Sequence, residues 1–203
     1  NLFQQLYNTV DSLIVGNFLG SSALAAVSSS GSLIFMLIGF LSGISAGAGV
    51  IVARFFGAGD EKNLQRAVHT TVAFGLVAGV LMTGVGVALS PQILRWMDTP
   101  ESVMRESVTY LQIYFAGSLG FVMYNVLVGI LQAVGDSRHP LYYLIVSSVI
   151  NLVLDLLFIT GFHTGVGGAA VATVISQIVS ALLCFWQLLR TKESYGLKIR
   201  KIR

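Results

Sequence analysis

Long runs of apolar residues, separated by short polar breaks, dominate the pattern along this chain. A helix needs about 20 apolar residues to cross a bilayer core about 30 Å thick, and six runs approach that length. Because backbone facing lipid must satisfy its own hydrogen bonds, and the alternating pattern of a membrane barrel is absent, each run is predicted to be a helix. The predicted spans are 1–19, 28–53, 67–89, 108–134, 141–162 and 166–189. The expected fold class is all-α, a polytopic membrane helical bundle of six transmembrane helices.

The composition excludes an ordinary soluble domain. Of 203 residues, 55% are hydrophobic and only 10% are charged, whereas about a quarter of a typical soluble domain is charged. The single cysteine, Cys184, excludes an internal disulfide framework and a cysteine-based metal site. The chain starts at Asn1 without a methionine or a signal-peptide pattern, so we expect a fragment whose first span lacks its beginning.

Glycines are expected to serve two structural purposes. Lipid provides no hydrophobic force between helices, so small residues spaced by four predict close helix contacts. The two rows of this kind are Gly39, Gly43 and Gly47, and Gly75 and Gly79. At the turns Gly59-Asp60 and Gly135-Asp136-Ser137, glycine is expected to end one helix in a left-handed conformation, and aspartate or serine to cap the next.

Positive charge is distributed unevenly between the two sides of the predicted bundle. Short cytoplasmic loops carry an excess of Lys and Arg, and all but two of the 12 basic residues follow spans 2, 4 and 6. These are Arg54, Lys62, Arg66, Arg138, Arg190, Lys192, Lys198, Arg200, Lys201 and Arg203. Only Arg95 and Arg105 lie on the other side, so both ends of the chain are predicted to face the cytoplasm. The predicted location is the cell (inner) membrane. Because the basic tail directly follows a span, we expect it to contact anionic membrane lipids rather than nucleic acid.

Two carboxylates lie inside the predicted spans, Asp11 and Asp155. An intramembrane carboxylate costs about 2.5–3.5 kcal/mol on insertion scales, so it usually faces a protein interior or a water-filled cavity. Asn151 lies four residues before Asp155, which places both on one helix face about 6 Å apart. A rise of about 1.5 Å per residue puts Asp11, Asp155 and Thr173 about 10–12 Å from the outer ends of their spans. One polar cluster is predicted; the simpler alternative is a protonated aspartate in a single interhelical hydrogen bond.

Such a cluster of carboxylate, amide and hydroxyl oxygens is suited to a hard cation such as Na⁺. Burial and a second carboxylate also raise the affinity of an aspartate for a proton, so Na⁺ and H⁺ are both candidate coupling ions. Further candidates for the lining of a substrate cavity are Gln4, Gln5, Asn8, Tyr110 and Tyr114. For the tyrosines, the alternative role is that of interfacial anchor. No cofactor is expected, because no phosphate loop or histidine pair at ligand spacing occurs.

Several short motifs are distributed over the whole chain. They are Asn8-Thr9-Val10-Asp11 with Gly16, Gly57-Ala58-Gly59-Asp60, Leu131-Gln132-Ala133-Val134-Gly135-Asp136-Ser137-Arg138-His139-Pro140-Leu141, Asn151-x-x-x-Asp155, and Gly168-Ala169-Ala170-Val171-Ala172-Thr173. Together they resemble the multidrug and toxic compound extrusion (MATE) transporters, in particular their DinF-like bacterial branch. The resemblance implies a twelve-helix antiporter of two six-helix lobes, which exports organic cations and other drugs against Na⁺ or H⁺ influx.

The resemblance also implies how this chain is organised. Residues 1–189 correspond to the N-terminal transmembrane lobe, and 190–203 to a basic cytoplasmic linker toward a C-terminal lobe that this sequence lacks. The positions that match the family's first-lobe cation site are Asp11, Asn151, Asp155, Thr173 and, by spacing alone, Tyr110. An isolated lobe is not expected to transport. The start of span 1, where the family often has a bending proline, is expected to lie before Asn1.

Ion-coupled export of small organic compounds, with cations favoured, is the leading hypothesis, and no enzymatic activity is expected. One alternative is a lipid-linked oligosaccharide flippase of the same superfamily, although those cavities tend to be basic and no Arg or Lys lies mid-span. Another is an intramembrane aspartyl protease, because two carboxylates can share one proton. The Gly-x-Gly-Asp motif is absent from the spans, which weighs against it. A purely structural bundle is the last alternative.

Overall fold

A computed structural model describes residues 2–197, apart from the side chains of residues 2–8 and of Asp11. Seven α-helices run through this part of the chain, and no strand occurs in it. The helices are α1 (Leu2–Leu19), α2 (Ser21–Gly57), α3 (Glu61–Trp96), α4 (Glu101–Ala116), α5 (Ser118–Ala133), α6 (Arg138–Leu156) and α7 (Gly165–Arg190). The predicted all-α fold class is confirmed.

The length and apolarity of the helices fit a bundle that crosses a membrane several times. Four helices are long and apolar enough to cross a bilayer: α2, α3, α7, and α6 with its continuation to Gly161. Helices α4 and α5 make a fifth crossing if they are one bent span. The 18 described residues of α1 include more polar side chains and do not reach that apolarity. Bulky side chains such as Phe35, Phe40, Val77 and Leu182 are exposed on the outer faces, where lipid would cover them.

The predicted span 108–134 consists of two helices rather than one. Helices α4 and α5 meet at Gly117, where their axes bend by 50°. The Gly117 N–H is shared between the carbonyl oxygens of Ile113 and Tyr114, each 3.2 Å away. A methyl group on Gly117 would lie 2.3 Å from Cγ1 of Val174, so the lack of a side chain lets the bend touch α7. The bend therefore lies at a close contact with α7, which the apolar pattern does not reveal.

Helix α5 lies at the centre of the bundle and packs against α2, α3 and α7. The largest buried apolar cluster comes mainly from these helices and includes Val68, Val72, Leu127, Ile130, Leu131, Cys184 and Leu188. A second cluster lies where α1 ends and α2 begins, and also includes residues of α4 and α7. Helix α6 packs on α7, and α1 packs on α2 and α6. The polar residues of α6 are thus held between α1 and α7.

The predicted glycine contacts are confirmed for one row, whereas the other row has no partner among the described residues. A methyl group on Gly79 would lie 2.6 Å from Cδ1 of Leu119, and one on Gly75 would lie 3.1 Å from Cγ2 of Val126, so α3 and α5 touch there. In the glycine row at 39–47 of α2, added methyl groups would meet no atom of the described residues within 4 Å. Helix contacts by this row therefore stay a prediction.

Both predicted glycine–aspartate turns are confirmed. Gly59 has φ 67° and Gly135 has φ 87°, which are left-handed conformations that favour glycine. At the start of α3, the Asp60 carboxylate accepts hydrogen bonds from the backbone N–H (3.1 Å) and the side-chain amide (2.6 Å) of Asn63. At the start of α6, the Asp136 carboxylate accepts a hydrogen bond from the backbone N–H three residues later, at 3.2 Å. The turn at Gly59 brings α3 back against α2, whereas α6, after the turn at Gly135, packs on α7 and α1.

The chain after α7 folds back onto the bundle. The side-chain amide of Gln65 on α3 donates a hydrogen bond to the carbonyl oxygen of Gly196, at 2.9 Å. Leu197 is 4% exposed and belongs to the largest apolar cluster. The described part of the predicted linker 190–203 is therefore packed against α3, and residues 198–203 lie outside the described residues.

Candidate functional site

Three of the predicted ion-binding residues come together where α6 packs on α7. Asn151 and Asp155 lie on one face of α6 and are 2% and 0% exposed, and Thr173 of α7 is 7% exposed. We call these three residues the carboxylate cluster. The predicted site residues whose side chains lie outside the described part of the structure are Gln4, Gln5, Asn8 and Asp11. The backbone of α1, which carries all four, packs against α6 and α7.

The contact between α6 and α7 within the carboxylate cluster is direct. The side-chain amide of Asn151 lies 3.5 Å from Oγ1 of Thr173. The Thr173 hydroxyl donates a hydrogen bond to the carbonyl oxygen of Ala169, one turn earlier on α7, at 3.1 Å. This bond directs the hydroxyl proton along α7, so that the threonine oxygen faces the polar side of α6.

Asp155 lies immediately before an irregular part of α6. Residues Leu157–Gly161 form a π-helical turn, and the N–H of Phe162 donates to the carbonyl oxygen of Leu157, five residues earlier, at 3.0 Å. Such wide turns are rare and are found frequently at functional sites. No feature of the residue pattern over 141–162 indicates this turn, so it could not be predicted from the sequence.

The two candidate tyrosines of α4 are buried rather than placed at the surface of the bundle. Tyr110 and Tyr114 are 5% and 7% exposed, and their rings stack with centroids 6.5 Å apart. Tyr114 also contacts the ring of Phe121 on α5, at 6.0 Å. Tyr110 belongs to an apolar cluster with Ala169, one turn before Thr173. Tyr110 is therefore beside the carboxylate cluster, whereas Tyr114 lies toward α5.

The carboxylate cluster combines an amide, a carboxyl group and a hydroxyl in a place that solvent barely reaches. A buried carboxylate is destabilised unless a proton or another positive charge neutralises it. Carboxylate, hydroxyl and amide oxygens are the ligands that hard cations prefer. The arrangement therefore suits one small cation or one proton. Its low exposure makes it a poor receptor for a larger organic molecule.

A second polar region lies toward the other end of α6. A cavity of about 700 Å³ opens between α2, α5 and the start of α6. Its lining includes Ser45 of α2, Tyr124 and Asn125 of α5, and Leu144 of α6. Eleven residues separate Leu144 from Asp155, which is about 16 Å along a helix. We call this region the α2–α5 cavity. The residue pattern does not predict this cavity, because the segments that form its walls are far apart in the chain.

Known proteins match this chain in sequence over most of its length. The family model described as MatE matches residues 1–157. "Probable multidrug resistance protein YoeA" of Bacillus subtilis (strain 168) is 37% identical over 197 residues, which are 95% of this chain and 42% of that protein. "DNA damage-inducible protein F" of Escherichia coli (strain K12) is 29% identical over 188 residues, which are 90% of this chain and 40% of that protein.

Solved structures match the fold as well. A crystal structure of a MATE protein in the bent conformation superimposes with a TM-score of 0.91 at 28% identity, and the match covers 99% of this chain and 45% of that one. An inward-facing multidrug resistance MATE family transporter of the MOP superfamily superimposes with a TM-score of 0.90 at 28% identity, over 98% of this chain and 46% of that one. The chain thus spans less than half the length of these relatives.

Proposed function

The chain belongs to the MatE family, and from this premise we propose that the whole protein exports small organic compounds, drugs among them, in exchange for Na⁺ or H⁺. The observation that carries the proposal is the carboxylate cluster, in which Asp155 is 0% exposed beside Asn151 and Thr173. The names of relatives, which include multidrug resistance and export proteins, support drugs as substrates. The family resemblance predicted from the motifs is confirmed. Members of this family are transporters and not enzymes, so the protease alternative is set aside.

Asp155 is the proposed acceptor of the coupling ion. A buried carboxylate binds a proton or Na⁺ more readily than an exposed one does, because the neutral state removes the desolvation cost of the charge. Asn151 and Thr173 supply neutral oxygens from adjacent positions, and Asp11 and Tyr110 are the further proposed members of the site. The helices are proposed to have two arrangements, one that suits the neutral cluster and one that suits the charged cluster. Binding of the ion favours the first arrangement, and release of the ion favours the second.

The proposed orientation places both ends of the described chain in the cytoplasm, in the cell membrane. Lys62 and Arg66 at the start of α3, Arg138 at the start of α6 and Arg190 at the end of α7 lie at the same end of the bundle. Clustering of basic residues at one end is typical of the cytoplasmic side. In this orientation the carboxylate cluster lies toward the outside, where an inward-directed ion gradient would load it.

A second lobe of the same protein is proposed to complete the transport path. Support comes from the relatives, of which this chain covers less than half. Residues 1–189 are proposed to form one lobe, and 190–203 to lead toward the other. Movement of one lobe against the other would then give alternating access. Organic cations are the favoured substrates, as the family resemblance implies.

Replacement of Asp155 by asparagine in the full-length protein tests the ion-binding proposal. The variant is expected to abolish ion-driven export, since asparagine keeps the shape of the side chain and cannot bind or release a proton. The measurement is ethidium transport by proteoliposomes, with a Na⁺ gradient and a pH gradient applied separately. The gradient that drives transport by the unmodified protein identifies the coupling ion.

The matched control is Glu106→Gln, which makes the same chemical change at an exposed position on α4. Its ion-driven export should equal that of the unmodified protein. Both variants should reach the membrane in normal amounts and elute as a single species, because neither change leaves a buried charge unpaired. Export that keeps its ion dependence in the Asp155→Asn variant would refute the assignment of Asp155.

A further inference from the structure

The α2–α5 cavity has the size and the lining of a binding site for an organic molecule. Sites for small organic ligands are clefts of about 300–1,000 Å³ with a mainly apolar lining and a few placed polar groups. The α2–α5 cavity has a volume of about 700 Å³, and none of the described residues that line it is charged. Its apolar walls include Val50 and Ala53 of α2, and Leu141 and Leu144 of α6.

One wall of the α2–α5 cavity holds a buried hydroxyl that its own helix does not satisfy. Ser45 is 7% exposed, and its Oγ has no hydrogen-bond partner among the described residues. Hydroxyls in helices commonly donate to the carbonyl four residues earlier, as Ser29 and Ser148 do here at 2.8 and 2.7 Å. A buried polar group without a partner destabilises the protein unless a ligand or water satisfies it. Ser45 therefore points to a molecule that hydrogen-bonds in the cavity.

The opposite wall offers two more polar groups. Tyr124 is 8% exposed, lines the α2–α5 cavity, and makes no hydrogen bond through its hydroxyl to the described residues. The side-chain amide nitrogen of Asn125 donates to the carbonyl oxygen of Phe121 at 2.9 Å, which leaves its own carbonyl oxygen as an acceptor. The two walls thus present hydroxyl donors from Ser45 and Tyr124 and an amide acceptor from Asn125.

The floor of the cavity is held by contact between two backbones. A methyl group on Gly129 of α5 would lie 3.0 Å from the carbonyl oxygen of Ser45, and one on Gly49 of α2 would lie 3.3 Å from the carbonyl oxygen of Gly129. Backbone atoms cannot rotate away as side chains do, so this contact sets the separation of the walls. The cavity is accordingly a fixed feature of the α2–α5 packing.

We propose that the α2–α5 cavity binds an uncharged organic molecule that has an apolar body and a hydrogen-bonding group. A cation would lose its hydration there without a fixed negative charge in return, whereas a neutral molecule would meet donors, an acceptor and apolar walls. The site is separate from the carboxylate cluster. A role as a loading site would apply to the uncharged compounds among those exported and rests on the proposed function, whereas binding to the cavity does not.

Two matched photoprobes test the proposal on the full-length protein in proteoliposomes. The neutral probe is 4-(hydroxymethyl)benzophenone, and the cationic one is (4-benzoylbenzyl)trimethylammonium, which has the same photoreactive body. After irradiation, mass spectrometry locates the labelled peptides. The neutral probe is expected to label residues 42–53 and 124–133, and the cationic probe to label them at least about five-fold less, since a lost hydrogen bond alone has that effect.

Single substitutions show whether the hydroxyls bind the probe. Ser45→Ala and Tyr124→Phe are each expected to lower neutral labelling about five-fold below saturation, the value of one typical hydrogen bond. Ser29→Ala on α2 and Tyr142→Phe on α6 remove hydroxyls outside the cavity and should leave labelling unchanged. Each change removes one oxygen atom, so folding is retained.

Three results would overturn the proposal. The first is equal labelling of residues 42–53 and 124–133 by the two probes. The second is neutral labelling that neither Ser45→Ala nor Tyr124→Phe lowers. The third is that the neutral probe labels neither segment in the full-length protein, which is expected if another part of that protein fills the cavity. Asp155→Asn separates this proposal from the proposed function. If the variant loses export and keeps neutral labelling, both stand. If it keeps ion-driven export and labelling, the ion assignment fails and the binding site stands.

Discussion

The two polar regions along α6 differ in how tightly they are packed and in what they can bind. The carboxylate cluster has an ionisable group, Asp155, and no member more than 7% exposed. The α2–α5 cavity has only neutral polar groups in its described lining, around about 700 Å³ of open space. A small ion needs several oxygens at close range, whereas an organic molecule needs volume and a few directed hydrogen bonds. One helix thus borders two regions with separate chemistry.

The glycines near the two regions show how the difference arises. Gly117 lets the bend between α4 and α5 approach α7 at Val174, the residue after Thr173. Gly129 lets α5 approach α2 at Ser45 and Gly49, two residues that line the α2–α5 cavity. Two helices that lie close together over a long stretch give a packed interior. Two helices that lie close together at one point leave room for a cavity beside that point.

The largest expected effect is that of Gly117→Val, which breaks the packing near the carboxylate cluster. The new side chain would overlap Val174, whose Cγ1 lies 2.3 Å from the position of an added Cβ. We expect the free energy of unfolding to fall by about 3 kcal/mol, the upper part of the range for overpacked cores. Denaturant titration of the detergent-solubilised protein measures it. Gly84→Val is the control, because the described residues leave open space at Gly84; equal stability of the two variants would contradict the packing argument.

A smaller effect is expected from Thr173→Val, which tests the carboxylate cluster without changing its shape. The substitution removes the hydroxyl oxygen that contacts Asn151 and that is proposed to contact the coupling ion. The concentration of coupling ion for half-maximal export should therefore rise about tenfold, the effect of one lost hydrogen bond or contact to a charged group. Thr173→Ser keeps the hydroxyl and should behave like the unmodified protein. Similar ion dependence of the valine and serine variants would show that the hydroxyl takes no part. Neutral labelling of the α2–α5 cavity should be unaffected in both.

Gly129→Ala tests the other region and should destabilise the protein by about 1 kcal/mol. Overpacking against the carbonyl oxygen of Ser45 costs about 1–3 kcal/mol, and the higher helix propensity of alanine offsets up to about 1 kcal/mol of it. Thermal unfolding in detergent measures the change. Gly47→Ala has open space around it in the described structure and should be neutral or slightly stabilising. If both variants gain stability, the contact between α2 and α5 at Gly129 does not constrain the cavity.

The smallest effect is expected at Asp60, which lies outside both regions. Hydrogen bonds from the side chain and backbone N–H of Asn63 hold the pKa of Asp60 below its ordinary value of 3.8. A carboxyl group with a lowered pKa in the folded state stabilises that state above its ordinary pKa, and this contribution is lost as the pH falls through the lowered value. Asp60→Ala should therefore melt slightly below the unmodified protein at neutral pH.

The melting temperatures of the two proteins should converge as the pH falls below 3.8. Thermal melts at a series of pH values test this, and a difference that persists in strong acid would contradict the capping role. Ion-dependent export and neutral labelling at neutral pH should not change, which makes Asp60→Ala a control for the comparison between the two polar regions.

Much of the fold followed from local sequence patterns. The apolar runs predicted helices in all six places, because a run of about 20 apolar residues is stable in lipid only if its backbone bonds internally. The turns at Gly59 and Gly135 followed from residues that act on their own backbone. The close contact of the bend at Gly117 with Val174 did not, since Val174 is remote in the chain. The partner of the glycine row of α2 could not be predicted either, because spacing identifies a face that permits contact and not the partner.

The sequence by itself determined which residues are chemically unusual and how deep they lie along their helices, because helix rise and side-chain period are local properties. Asn151, Asp155 and Thr173 were identified in this way. Only the tertiary structure decided which of the helices meet, and hence that Asn151 lies 3.5 Å from Thr173 while Ser45 and Tyr124 face an open cavity. The physical reason is that packing in lipid is decided by shape complementarity between distant segments, and an apolar pattern carries almost no record of it.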